Sequence, residues 1–437
     1  MNISPQKRSE VLDALRRGTV PRNGLDTLAV GLDRFDGSVS DELDRVAAGG
    51  ACFKAIRGDY GCGKTFLARW LQNQALQRGF AVSEVQVSET ETPLNRLETV
   101  YRRLIERLRT SDSEQGAFRS IVDGWFYVLE EDVLAASAGA DEAQLLAKTE
   151  ELVEQRLAAV SRTTPMFAVA LRAYRRATIA QDRSTADGIL AWLGGQPAVG
   201  ADAKRAAGVR GDVDHFAALG FLQGLLALLR DSGAPGLLLV LDEVETLQRV
   251  RSDVREKALN ALRQLIDEVD AGRFPGLYLV ITGTPAFFDG PQGIQRSPPL
   301  AQRLHVDFST DGRFDNPRAV QLRLRAFDLA SLVEVGTRVR DVFAAGARNP
   351  DRVRGMADEE LLRSLASSLT GKLGGKVGVA PRIFLKKLVA EVLDRIDDFP
   401  DFDPRRDYAL TVAPHELNDA EQAAAGVASV DDITLKL

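Results

Sequence analysis

RGDYGCGKTF, residues 57–66, carries the clearest structural signal in this 437-residue chain. Residues 58–65 match the pattern G-x-x-x-x-G-K-S/T in full. The glycines of this pattern let backbone N–H groups turn toward phosphate oxygens, and the start of the following helix adds positive potential. A short apolar strand is predicted before the loop, and an amphipathic helix is predicted over 66–77. This strand–loop–helix context predicts a site for the phosphates of a nucleotide.

Each residue of the loop has an expected role in holding the nucleotide. Lys64 is expected to reach the β- and γ-phosphates, and the hydroxyl of Thr65 to bind Mg²⁺. The residues expected to contact the nucleotide are Gly58, Asp59, Tyr60, Gly61, Cys62, Gly63, Lys64, Thr65 and Phe66.

Cys62 lies inside the loop and near the predicted helix start, a position that can lower the pKa of a thiol. One interpretation is therefore a redox-sensitive site. The interpretation that we favour is a small residue that fits a tight turn.

An acid pair follows the next long apolar run. LLLVLDE, residues 237–243, predicts a buried strand that ends on Asp242 and Glu243. Ligands of parallel α/β sheets bind at the carboxyl ends of the strands. Asp242 would hold Mg²⁺ through water, and Glu243 would orient and deprotonate the attacking water. An acid pair can also cap the next helix, but a complete phosphate loop in the same chain favours catalysis.

A further strand, LYLVITGT at 277–284, ends on two polar residues. Thr282 or Thr284 would contact the γ-phosphate and the attacking water. The alternative is ordinary turn chemistry before Pro285.

Two arginines are candidates for contacts from outside the core. Arg303, in SPPLAQRL, would stabilise transferred charge in the site of a neighbouring copy, or form a surface ion pair. Arg382 lies just inside a helix begun by Pro381 and would reach the nucleotide from a lid, or lie on a solvated basic face.

Apolar strands that alternate with helices predict an α/β fold in three layers, with a parallel sheet covered on both faces. Strands are also predicted at 80–88 and 319–327. The expected organisation is an N-terminal helical segment 1–45, a core 46–327 with a helical insert at about 93–230, a C-terminal helical lid 328–397 and an acidic, loosely ordered tail 398–437.

Composition and missing motifs narrow the classes of function. Two cysteines and three histidines exclude a disulfide framework and argue against a histidine metal centre. The sequence contains no run of 18 apolar residues, the length that would predict a membrane span. We therefore expect a cytoplasmic protein without membrane contact. The chain lacks the dipeptide NK, which a guanine-reading N-K-x-D would need, so ATP is the expected nucleotide.

The chain resembles the AAA+ ATPases, especially the branch of origin-recognition and transposition-regulator ATPases. The resemblance is carried by GDYGCGKT, LLLVLDE, VITGTP, LAQRL and PRIFLKKL. AVGLDRF, residues 29–35, resembles the N-terminal box of that branch, which lies against adenine. The resemblance implies that the backbone of Val30 and Gly31 lies near the base. The usual Gly-Arg-Glu of the box is Gly31-Leu32-Asp33 here.

The likeness is closer to the ATP-binding proteins of BREX phage-defence loci, of the BrxD type. It is carried by LRRGTVPRNGLDTLAVGLDRF, GDYGCGKTFLARWLQNQAL and GLLLVLDEVETLQRVRSDVREKALNALRQLID, and it covers roughly residues 8–395. The resemblance implies an ATPase that works beside a large helicase in bacterial defence.

We therefore expect a Mg²⁺-dependent ATPase. Its expected partners are further copies of the chain and a helicase or other defence protein. Two basic stretches, 101–109 and 172–183, leave DNA open as a partner, although such stretches are more often solvated helix faces. The alternatives are an ATP-gated signalling switch with slow hydrolysis and no DNA contact, and a non-enzymatic scaffold. The intact Lys64, Thr65, Asp242 and Glu243 argue against the scaffold.

Overall fold

The centre of the fold is a five-stranded sheet, seen in a computed structural model that describes residues 3–137, 141–372, 380–412 and 416. The strands lie in the order β2-β3-β4-β1-β5, and every neighbouring pair is parallel. β1, β3 and β4 are buried along their whole lengths, and β3 and β4 are apolar almost throughout, as is usual for strands covered on both faces. The strands are β1 (Cys52–Arg57), β2 (Ala81–Gln86), β3 (Leu237–Asp242), β4 (Leu277–Gly283) and β5 (Gln321–Arg323).

Helices make up most of the remaining described residues. In the N-terminal part and the insert they are α1 (Pro5–Arg16), α2 (Asp33–Ala47), α3 (Lys64–Gln77), α4 (Leu97–Glu106), α5 (Ala117–Ala136), α6 (Glu142–Thr163), α7 (Pro165–Ile179), α8 (Arg183–Leu193), α9 (Ala201–Ala207) and α10 (His215–Asp231). After β3 they are α11 (Ser252–Asp270), α12 (Pro285–Asp289), α13 (Pro298–Arg303), α14 (Leu329–Ala344), α15 (Pro350–Met356), α16 (Glu359–Lys372), α17 (Ala380–Lys387), α18 (Asp394–Asp398) and α19 (Pro404–Asp407). A π-helical turn, Leu388–Leu393, joins α17 to α18. Within the described ranges, every helix is too short or too polar to cross a lipid bilayer.

Alternate residues of the strands point to opposite faces of the sheet. Leu238 and Val240 of β3 pack with α2 and α3, whereas Leu239 and Leu241 pack with the insert helices and α11. The sheet is therefore the middle of three layers, and the predicted α/β fold is confirmed. β5 is shorter than the predicted strand, since only three residues pair with β1.

The insert between β2 and β3 is helical, as predicted, and has an aromatic centre. Phe221 of α10 meets Tyr101, Phe167 and Trp192 edge to face, with ring centroids 5.8, 5.3 and 5.4 Å away. Such contacts add to the burial of the rings and tie α4, α7, α8 and α10 into one core.

The two basic stretches of the insert are largely engaged within the fold. Tyr174 is buried, Arg175 pairs with Glu130, and Arg172 pairs with Glu154. On α4, Arg103 pairs with Glu91 and Glu106. These contacts favour a packing role over an open basic surface.

The N-terminal segment is divided between two hydrophobic cores. Val11, Leu12 and Leu15 of α1 pack among the helices of the C-terminal lid, whereas α2 packs on the sheet. The guanidinium of Arg16 also donates two hydrogen bonds, of 2.9 and 2.8 Å, to Asp394 of α18. The first helix of the chain is thus part of the lid.

In the C-terminal region, the described part of 398–437 contains α19 and the buried Leu410. Residues 413–415 and 417–437 of the expected tail lie outside the described residues.

Leu12→Ala is expected to destabilise the lid by about 2–5 kcal/mol, because it opens a cavity in a core that does not contain the sheet. Hydrogen exchange of the α14 and α16 amides would measure this loss. Lys7→Ala, on the exposed face of the same helix, is the matched control. Unchanged protection in Leu12→Ala would contradict the assignment of α1 to the lid.

Candidate nucleotide-binding site

The phosphate loop is shaped by glycines that no other residue could replace without strain. Gly61 and Gly63 have φ of +78° and +97°, in the left-handed region. A Cβ on Gly58 would collide with the sulfur of Cys62. The loop therefore turns tightly between β1 and α3 and leads into the helix start that can bind anions.

Lys64 is folded back over its own loop. Its ammonium donates to the carbonyl oxygens of Gly58 and Asp59, at 2.9 and 3.2 Å. The Tyr60 ring centroid is 5.0 Å away, and a carboxylate oxygen of Glu245 is 3.7 Å away. These contacts hold the ammonium of Lys64 against its own loop.

Asp242 connects the loop to the neighbouring strands. The Thr65 hydroxyl donates to one of its oxygens at 3.0 Å, and the Thr282 hydroxyl donates to the other. Burial raises the pKa of Asp242, and the Thr282 hydrogen bond opposes this rise.

The residues at this point fit the oxygen ligands that Mg²⁺ prefers. Thr65 and Asp242 supply two protein oxygens, while the described residues hold no cluster of three His, Cys, Asp or Glu side chains that could form a complete metal site. Phosphate and water would have to fill the other positions, as is usual for Mg²⁺.

Glu243 has a strained backbone and a fixed carboxylate. Its φ is +61°, a left-handed conformation that costs a non-glycine residue roughly 1–2 kcal/mol. Its N–H donates to Thr282 at 3.1 Å, and its carboxylate accepts from the Gln86 amide at 2.8 Å. Such strain is common at functional sites.

Gln86 and Glu245 are the residues at the site that sequence reasoning missed. Gln86 is the last residue of β2 and pairs in register with Asp242, so a polar strand end was its only signal. Glu245 is the third acid of DEVE, residues 242–245, and could have been noticed for its position.

A cavity of about 650 Å³ adjoins the loop, a volume in the usual range for small ligands. Its wall includes Val30 and Gly31, the residues that the resemblance places near adenine. Arg382 reaches the wall from α17, with one nitrogen donating to the Glu416 carbonyl at 2.8 Å. The core, the segment before α2 and the lid therefore enclose one space.

Two predicted site residues, Thr284 and Arg303, neither line this cavity nor contact Asp242. Thr284 is buried at the start of α12, two residues beyond the threonine that contacts Asp242. Arg303, at the end of α13, forms an ion pair with Asp267 of α11 and has 42% of its side chain exposed. Among the described residues, neither lines the cavity.

Cys62 is expected to resist alkylation. Only 3% of it is exposed, and burial raises the pKa of its thiol to about 11. Because the thiolate is the reactive form, a rise from 9.0 to about 11 predicts labelling about 100-fold slower than for an ordinary cysteine at pH 7.5. Mass spectrometry after iodoacetamide treatment would measure this rate, with the urea-unfolded chain as control. Labelling of the folded chain as fast as of the unfolded chain would restore the redox-sensitive interpretation.

Comparison with known proteins gives one family. The family described as BREX system ATP-binding protein BrxC/D matches residues 3–412. This confirms the expected likeness to BREX ATP-binding proteins, with BrxC and BrxD described together. No protein with a curated description matches the chain.

Proposed function

This chain belongs to the family of BREX system ATP-binding proteins BrxC/D, and we propose that it is a Mg²⁺-dependent ATPase of the AAA+ type in bacterial phage defence. The observation that carries the proposal is the meeting of Thr65, Asp242, Thr282 and Glu243 beside a complete phosphate loop. These residues come from α3, β3, β4 and the turn after β3, which are neighbours only in the folded chain.

Binding would begin with a change of partners at Lys64. Its ammonium would leave the carbonyls of Gly58 and Asp59 and move to the β- and γ-phosphates. The backbone N–H groups of the loop and the start of α3 would hold the phosphate oxygens. Val30 and Gly31 on the cavity wall support the adenine contact, and Arg382 supports a contact from the lid.

Hydrolysis would use the two acids in different roles. Thr65 and Asp242 would hold Mg²⁺, which when bound offsets the negative charge of the phosphates. Glu243 would take a proton from the attacking water, with Gln86 fixing its carboxylate and Thr282 fixing its backbone. Thr282 is the better candidate than Thr284 for the γ-phosphate, because it lies against Asp242.

We propose further that copies of the chain assemble around the nucleotide. Arg303 lies away from the cavity of its own chain, so any contact with transferred charge would have to occur in a neighbour's site. It would first have to leave Asp267. Besides further copies of the chain, we propose that its partner in a BREX system is a helicase or another defence protein. DNA bound by that partner would then be the substrate on which ATP hydrolysis acts.

A second candidate function is an ATP-gated switch with slow hydrolysis. Two contacts favour it: the Gln86 amide donates to the carboxylate of Glu243, and the ammonium of Lys64 donates to the Gly58 carbonyl of its own loop. A partner that released Glu243 would then control turnover.

The proposal is tested by phosphate release from the purified full chain with MgATP. The assay is run over a range of protein concentrations, alone, with single-stranded DNA and with double-stranded DNA. Turnover that rises with concentration supports assembly, and DNA-stimulated turnover supports DNA coupling over the switch. Absence of ATP binding by calorimetry would overturn both functions, whereas binding with negligible turnover would favour the switch.

A further inference from the structure

Glu245 is a buried carboxylate for which the proposed reaction has no use. It is 4% exposed and lines the nucleotide cavity, in the turn that follows β3. Within the described part of the chain, neither of its side-chain oxygens has a hydrogen-bond partner. The cation that it faces is the ammonium of Lys64, 3.7 Å away.

Burying the Glu245 carboxylate without hydrogen-bond partners among the described residues destabilises the fold, so we looked for a role of this residue in ligand binding. A buried carboxylate normally accepts several hydrogen bonds, and one without them retains much of its desolvation penalty. Asp242, only three residues earlier, is also buried, but both of its carboxylate oxygens accept hydrogen bonds from threonine hydroxyls. Glu245 instead depends on the charge of Lys64, at a distance beyond hydrogen-bonding range.

Lys64 is also the residue whose ammonium a nucleotide phosphate would bind. Its ammonium is shared among the carbonyls of Gly58 and Asp59 and the carboxylate of Glu245. A phosphate that takes the ammonium removes the charge that balances Glu245. It also brings negative charge toward a carboxylate that is shielded from water, where such repulsion is strong.

We propose that Glu245 is a positioning residue that competes with nucleotide phosphate for Lys64, and that it weakens ATP binding more than ADP binding. This inference rests on the proposed function, because it requires that a nucleotide binds in this cavity. The discrimination follows from charge, since ATP carries one more phosphate than ADP and Lys64 reaches the β- and γ-phosphates. Glu245 would thereby favour exchange of nucleotide over permanent occupation by ATP.

The test compares the full wild-type chain with Glu245→Gln, which keeps the shape of the side chain and removes its charge. Calorimetry with Mg²⁺ measures the dissociation constants of ADP and of the non-hydrolysable imido analogue of ATP. We expect Glu245→Gln to bind the ATP analogue about tenfold more tightly, and ADP no more than about threefold more tightly. Glu256→Gln, which makes the same chemical change on the exposed face of α11, is expected to leave both constants unchanged.

The direction of the change separates this role from a merely structural one. A residue needed only for folding would weaken binding of both nucleotides when it is changed. Glu245→Ala is the second variant, and it should also shift the preference toward the ATP analogue. An unchanged ratio of the two constants, or a ratio shifted toward ADP, would overturn the inference and leave the proposed function standing. A wild-type chain that binds neither nucleotide would overturn the proposed function as well.

Discussion

Glu243→Gln is expected to bind ATP as tightly as the parent chain and to hydrolyse it about 10²–10⁴ times more slowly. The amide has nearly the same size as the carboxylate, so the turn after β3 and its left-handed backbone should be retained. It cannot accept a proton at neutral pH, and a general base that is removed in this way slows only the chemical step.

The measurement is phosphate release at saturating MgATP, together with ATP affinity by calorimetry. Glu89→Gln, on the exposed segment after β2, is the matched control and should turn over ATP at the parent rate. Parent-like turnover in Glu243→Gln would contradict the role of Glu243 as the base. A loss of affinity would instead indicate that its contact with Gln86 supports the site as a whole.

Lys64→Ala is expected to weaken ATP binding by roughly 10- to 100-fold, the loss that follows from removing a hydrogen bond between charged groups. The side chain is buried at the loop, where its ammonium donates to the Gly58 carbonyl. Calorimetry with MgATP would measure the loss. Lys257→Ala, on an exposed position of α11, should bind as the parent does.

The same substitution has a second consequence, because it leaves Glu245 without its cation. Removing one partner of a buried charge pair is more damaging than removing both. We therefore expect the double variant Lys64→Ala/Glu245→Gln to be more stable to heat than Lys64→Ala, while ATP binding stays weak. A Lys64→Ala chain that binds ATP like the parent would overturn the phosphate site itself.

The fold followed from the sequence because its decisive signals are local. The phosphate loop is one contiguous stretch, and buried parallel strands such as 237–243 are continuous apolar runs. The helical insert was also predictable, since no strand pattern interrupts it before β3. These features depend on residues that are near one another along the chain.

The pairing of side chains across the site depended on the order of the strands. β2 lies beside β3, and this alone brings Gln86 to Glu243, which is 157 positions away along the chain. Thr282 lies within β4 and contacts Asp242, whereas Thr284 follows the end of the strand at the start of α12. No spacing in the sequence carries this information.

The phosphate loop, the acid pair and the parallel sheet could be predicted from the order of residues, because spacing and apolar runs encode them. Only the tertiary structure placed α1 in the lid and Glu245 beside Lys64. Both contacts are set by packing between distant segments, where an amphipathic helix or a lone acid is compatible with many partners until the cores form.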